Sequence, residues 1–154
     1  LVLYILPRFA EINTKKEFRK EVFSFYKTIM PIFALILLVI YLSRSLLVSL
    51  LFTQDFQPVE ELFGYQILGD FMRVLSMVIA YQFLAKKMFA HFIVLEIFLF
   101  VIIYFTSIYF IDLYGLKGAV MGHCLSYIMH FGIILLIFGS SLFGVLSDED
   151  VKES

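Results

Sequence analysis

The sequence predicts an all-α integral membrane protein, a helical bundle of four full transmembrane helices preceded by the end of an upstream one. Three observations carry this. Residues 118–147 run thirty positions without Asp, Glu, Lys or Arg, and roughly 20 apolar residues suffice to cross a ~30 Å hydrocarbon core. Hydrophobic residues make up 62% of the chain and charged residues 16%, with a mean hydropathy of +0.96; a soluble domain holds about 45–50% apolar and about 25% charged residues. Apolar stretches such as 32–40 and 95–103 lack the alternation of a lipid-facing barrel strand, which leaves helices to satisfy the backbone in lipid.

The elements follow in order. Residues 1–6 read as the end of an apolar helix. Position 1 is Leu, and no basic segment with a small-residue cleavage site marks a signal peptide. The expectation is therefore the carboxyl-terminal part of a larger membrane protein. Thr14 followed by Glu17 fits a capping box, which starts a helix just after Asn13. Phe18, Val22, Phe25 and Ile29 then recur at helical spacing, so a basic amphipathic lead-in runs on into the first span, 26–42, with Pro31 expected to bend it. That span works if Lys27 and Arg44 snorkel toward the headgroups. Residues 45–53 are apolar but short, and read as interfacial or re-entrant. Pro58, Glu60 and Glu61 suit the first turn of the next helix. The second span is 62–85 and the third 88–111; a tight turn at 112–117 contains Gly115, and the fourth span is 118–138. Residues 1–146 form the membrane part, and 147–154 a short acidic tail.

Basic residues set the expected orientation. Arg8, Lys15, Lys16, Arg19, Lys20, Lys27, Lys86, Lys87 and Lys152 fall on one side, Arg44 and Lys117 on the other, and Arg73 within a span. The positive-inside bias places the 8–27 connection and the carboxyl terminus in the cytoplasm. Tyr26, Tyr41, Tyr65 and Tyr81 sit near span ends, where interfacial anchors are expected.

Whole classes of function fall away. A net charge of −1 gives no reason to expect nucleic acid, and the lone Cys124 excludes a disulfide or thiolate cluster within the chain. There is no Walker A loop, G-x-S-x-G, H-E-x-x-H or C-x-x-C. Neither an enzyme nor a cofactor or metal is expected.

Polar residues inside the spans are the candidates for function, because a charge at a helix centre costs ~3 kcal/mol unless paired or facing a polar cavity. Asp70 and Arg73 are one turn apart, a spacing that allows them to pair. Gln66, Gly69, Asp70, Arg73, Ser76, Met77 and Ala80 form one small-or-polar stripe that looks into protein or water. An ion pair holding helices together and a site on a transport path both fit. Glu96, with His91 one turn or so nearer the cytoplasm, suits ion coupling, as does Asp70; hydrogen bonding of Glu96 to the Asp70/Arg73 face is the favoured reading. Gly118, Gly122 and Ser126 repeat every four residues, a pattern that lets another helix approach closely. His123, Tyr127 and His130 line the adjacent face, where interhelical hydrogen bonding is expected, and Cys124 is expected to pack.

The order Leu6-Pro7-Arg8-Phe9, a basic loop, Tyr41-Leu42-Ser43-Arg44, and Leu51-Phe52-Thr53 with Phe56 and Pro58 resembles the second half of polysaccharide flippases. So do Gln66 with Gly69-Asp70, Ala85-Lys86, and Gly115-Leu116 with Gly118-Ala119. The resemblance is to the Wzx-type O-antigen and enterobacterial-common-antigen (lipid III) translocases of the multidrug/oligosaccharidyl-lipid/polysaccharide exporter superfamily. It covers nearly the whole chain. One departure is Tyr65, where the family pattern has Trp before the Gln.

The resemblance implies a complete protein of about twelve spans in two lobes, of which this chain would run from the end of the eighth span through the twelfth, as part of the carboxyl-terminal lobe. It implies translocation of an undecaprenyl-diphosphate-linked oligosaccharide across the bacterial inner membrane by alternating access. The implied partners are that lipid-linked oligosaccharide, membrane lipid, the missing amino-terminal half and other polysaccharide assembly proteins. A diphosphate head suits Arg, whose planar fork bonds two oxygens, so Arg8, Arg44 and Arg73 are candidates for the substrate path, and Asp70 is included with them as the neighbour of Arg73. The alternatives are a cation-coupled drug or metabolite exporter of the same fold, with Asp70 or Glu96 as coupling carboxylate, and an accessory module that binds partner helices through Gly118, Gly122 and Ser126.

Overall fold

Thr14 opens a continuous helix of 28 residues. Its Oγ1 accepts the Glu17 N–H at 3.2 Å, and Glu17 Oε2 accepts the Asn13 N–H at 3.3 Å. The carboxylate thus reaches one residue further back than in a capping box, where it meets the N–H of the cap residue itself. The computed structural model describes residues 2–51 and 59–143. They form α1 (Val2–Glu11), α2 (Lys15–Leu42), α3 (Arg44–Leu51), α4 (Leu62–Ala85), α5 (Phe89–Tyr114) and α6 (Leu116–Phe143). Thr53, Phe56, Pro58 and the tail from 147, with Lys152, lie outside the described residues.

Helix α2 runs unbroken from its basic first turns through Pro31 to Leu42. Helix α3 is eight residues long, about 12 Å at 1.5 Å per residue, too short to cross a bilayer. A 3₁₀ turn at 59–61 leads into α4. Among the described residues, four helices are long and apolar enough to span a membrane: Lys15–Leu42, Val59–Ala85, Phe89–Tyr114 and Leu116–Gly139. The chain is an all-α, multi-pass membrane bundle.

The connection between α5 and α6 is tighter than the sequence suggested. Asp112 to Tyr114 are helical, and the chain reverses at Gly115 alone, whose φ of +59° a residue with a Cβ adopts only with strain. The Gly115 N–H donates to the Ile111 carbonyl at 2.8 Å, and the Gly118 N–H to the Gly115 carbonyl at 2.9 Å.

Contacts along the helices fix their directions. Tyr26 meets Leu75, Phe33 stacks on Phe71 and Tyr41 lies beside Gly64, so α2 and α4 are antiparallel. Glu61 meets Lys117, Gly69 meets His123 and Phe83 meets Phe138, so α4 and α6 are parallel. Helix α5, which joins them in the chain, runs antiparallel to both and packs mainly on α6. At one end an aromatic cluster of Phe9, Phe18, Phe83 and Phe138, with ring centroids 5.0–5.9 Å apart, ties α1 and α2 to α4 and α6. Lys86 Nζ donates to the Ile12 carbonyl at that end. Lys15, Lys16, Arg19 and Lys20 therefore share an end with Lys86 and Lys87, and Arg44 and Lys117 lie at the other. Phe100, Tyr104, Phe105 and Tyr109 on α5 are exposed, as lipid-facing side chains are.

Two of the four expected tyrosine anchors lie elsewhere. Tyr26 is partly buried and donates to the Leu75 carbonyl at 2.6 Å, and Tyr81 is 5% exposed inside the bundle. An amphipathic ring satisfies its hydroxyl on a neighbouring backbone as readily as at the headgroups. Tyr41 and Tyr65 are at the Arg44/Lys117 end, beneath those two cations at 4.3 Å and 5.9 Å.

Candidate functional site: a polar seam between α4 and α6

Gly69 brings the two helices together. A Cβ there would lie 2.6 Å from His123 Cδ2 and 3.2 Å from Cys124 Cα, so glycine is what admits α6 at this level. Cys124 is buried in the contact. Six of the seven residues of the stripe read from the sequence face protein: Gly69, Ser76 and Ala80 are buried, and Gln66, Asp70 and Met77 are half-buried, while Arg73 is exposed.

Next to Gly69, three polar side chains converge. Gln66 Nε2 donates to Asp70 Oδ2 at 3.1 Å and lies 3.5 Å from His123 Nε2, which is also 3.5 Å from Asp70 Oδ1. The Asp70 carboxylate is thus engaged on both oxygens, one by its own helix and one by α6. The contact continues down α6: the His123 ring meets Tyr127 edge-on at 4.8 Å, and Tyr127 meets His130 at 6.5 Å. His130 is 2% exposed, and neither ring nitrogen has a hydrogen-bond partner among the described residues.

Asp70 and Arg73 form no ion pair among the described residues. With its carboxylate held by Gln66 and His123, Asp70 leaves Arg73 to turn over the Tyr127 ring, its guanidinium carbon 5.6 Å from the centroid. Arg73 is exposed. It is the twelfth residue of α4, about 18 Å from the start of the helix at 1.5 Å per residue, near the level of mid-bilayer. An exposed cation at that depth marks a face turned toward protein or water instead of hydrocarbon. Glu96, half-buried on α5, makes no hydrogen bond among the described residues, so the expected bond to the Asp70/Arg73 face is not formed. Glu96 nevertheless lies in the vicinity of Arg73, and Tyr81 and Tyr127 lie near both. His91 is exposed and stacks on Phe83 at 5.7 Å.

The other two candidate arginines are far from the seam. Arg8 lies at the lysine-rich end, 3.6 Å from Glu21. Arg44 caps the opposite end over Tyr41, donating to the Tyr41 carbonyl at 3.0 Å. Asp70, Arg73 and Glu96 therefore share one neighbourhood, and Arg8 and Arg44 bracket it.

Gly118, Gly122 and Ser126 face α5. A methyl at Gly118 would collide with the Phe110 carbonyl, and one at Gly122 would lie 3.0 Å from the Ser107 backbone. Ser126 is fully buried; its Oγ is 2.7 Å from Thr106 Oγ1 and donates to the Gly122 carbonyl at 2.6 Å. Sequence reasoning missed Thr106 and its neighbour Ser107. Two adjacent hydroxyls inside the apolar run of α5 were the available signal.

The chain is 26% identical over 136 residues to the lipid III flippases of Escherichia coli (strain K12) and Shigella flexneri. The match takes in 88% of this chain and 33% of each relative, so the chain spans about a third of the length of the curated relatives it matches. No family model matches the chain, and no solved structure matches it.

Proposed function

We propose that this chain is part of the carboxyl-terminal lobe of a Wzx-type flippase that moves an undecaprenyl-diphosphate-linked oligosaccharide across a bacterial inner membrane during surface polysaccharide synthesis. The observation that carries the reading is Arg73, an exposed guanidinium at mid-bilayer depth on a helix otherwise fit to sit in lipid. The likeness to lipid III flippases along most of the chain supports it. A sugar-diphosphate head crosses most cheaply inside a wet cavity lined by cations, while its lipid tail stays in the bilayer. The planar fork of Arg73 bonds two phosphate oxygens at once. Gln66 and His123 hold Asp70 away from it, so the guanidinium is not already spent on an internal carboxylate. Arg8 and Arg44 lie at the two ends of that path. The lysine-rich end and the carboxyl terminus face the cytoplasm, following the positive-inside bias, and the remaining lobe and other assembly proteins complete the machine.

The test is Arg73→Ala in the complete protein. Surface polysaccharide should fall at least about tenfold, the loss of a single charge-assisted pair worth ~1.5–3 kcal/mol, while membrane insertion is unchanged. Wild-type polysaccharide levels would remove Arg73 from the mechanism.

The Asp70–His123 contact favours one second reading, a cation-coupled exporter of the same fold in which Asp70 exchanges its bonds to His123 and Gln66 for a transported ion. Transport of small organic cations by the reconstituted protein, with no effect on lipid-linked saccharide, would select it.

A further inference from the structure

We propose that the outer face of the first turns of α2 is a binding site for an anionic phospholipid headgroup, a site separate from the α4–α6 seam and independent of what is transported. Lys16, Arg19, Lys20 and Phe23 fall at i, i+3, i+4 and i+7, on one side of the helix, and line a groove of about 410 Å³. Phe18, Val22 and Phe25 on the opposite side are buried in the bundle core. The groove therefore points away from α4 and α6.

The charge balance in this stretch is what makes it a site. Its two acids are taken elsewhere: Glu17 closes the cap on Asn13, and Glu21 pairs with Arg8. Lys16, Arg19 and Lys20 are all exposed, and none has an acidic partner within 4 Å among the described residues. Three uncompensated cations around one groove attract an anion, at about 1 kcal/mol each near an anionic membrane surface. Arg19 lies over the Phe23 ring, 5.9 Å from its centroid, which orients its planar donors beside the groove.

What lies beneath the groove selects a lipid over a soluble anion. Phe23 is 45% exposed, and further along the same helix Ile32, Leu35 and Leu38 are more than half exposed. Cations therefore stand beside the exposed Phe23 ring, and past Ser24, Lys27 and Thr28 the same helix becomes an exposed apolar surface, an arrangement that a phosphate headgroup with two acyl chains fills. A free phosphate would use the cations and leave the apolar surface untouched.

The experiment is native mass spectrometry of the full-length protein in detergent. Phosphatidylglycerol, phosphatidylethanolamine, inorganic phosphate and undecaprenyl diphosphate are added in turn. Phosphatidylglycerol should be retained, and the triple variant Lys16→Gln, Arg19→Gln, Lys20→Gln should bind it about 100-fold more weakly at low salt, about fivefold for each cation removed. The charge-preserving variant Lys16→Arg, Arg19→Lys, Lys20→Arg should bind within about threefold of wild type, which separates loss of the site from loss of fold. Equal phosphatidylglycerol binding by wild type and the Gln variant would overturn the proposal. So would equal retention of phosphatidylethanolamine, competition by inorganic phosphate as strong as by lipid, or preferential retention of undecaprenyl diphosphate through these three residues.

Discussion

Helix α6 has two buried faces that are built on opposite plans. Toward α5 it presents Gly118, Gly122 and Ser126, and the backbones meet with almost nothing between them. Toward α4 it comes close at Gly69, and beside that contact it presents His123 and Tyr127, whose side chains meet Asp70, Gln66 and Arg73. The first face is a seam of small residues whose polar atoms are satisfied locally. The second is a chain of titratable and charged groups, one of which, Arg73, is exposed. In lipid, where apolar side chains gain little by meeting one another, close backbone packing and hydrogen bonds hold helices together. Rigidity thus belongs to the α5 side of α6 and adjustable chemistry to the α4 side.

The sharpest way to break this contrast is on the rigid face. Gly118→Ala drives a methyl into the Phe110 carbonyl and should destabilise the bundle by about 1–3 kcal/mol, the usual cost of overpacking. Gly132→Ala, on the same helix with nothing within 4 Å of the added carbon, should be neutral or stabilising by up to about 1 kcal/mol. Unfolding of the purified protein in mixed micelles compares the two. Equal effects would mean that α5 and α6 are not in the close contact described here.

A smaller effect tests the polar face. A double-mutant cycle on Asp70→Ala and His123→Ala should give a coupling near 0.6 kcal/mol, and no more than about 1.7, the range found for hydrogen bonds between membrane helices. The cycle on Asp70→Ala and Arg73→Ala should give a smaller coupling, because those two side chains do not meet and interact only through space. The reverse ranking would restore the pair that the sequence spacing allows. Thr106→Val should cost about as much as one such bond, since it removes the 2.7 Å contact with Ser126. Lys117→Gln should be the mildest change, within about 1 kcal/mol in the same unfolding assay, because the pair with Glu61 is 42% and 71% exposed.

What the sequence could foretell follows from what a helix writes along its own length. Thr14 and Glu17 mark where α2 begins, the apolar runs mark the long helices, and the four-residue repeat at Gly118 marks a face without bulk. Partners across helices are not written that way. His123 stands 53 positions beyond Asp70, and only the azimuth and offset of α6 against α4 bring their atoms to 3.5 Å. Spacing alone favoured Arg73, three residues away. Tyr26 misled for the same reason: its position near a span end suggested the headgroups, while the Leu75 carbonyl was within reach on α4. The turn at Gly115 was legible as a turn, but its reduction to one residue depends on a positive φ that a Gly permits and does not demand.

A flipping path through this chain requires Arg73 to lie on a wetted face of α4 at mid-bilayer depth. Thiol accessibility in native membranes measures this directly, in a Cys124→Ser background, with a membrane-impermeant, water-soluble maleimide. The thiol of Arg73→Cys should be labelled from at least one side of the membrane, and that of Val101→Cys, on the exposed apolar face of α5, should not. Labelling at 101 with none at 73 would place hydrocarbon where the account places water.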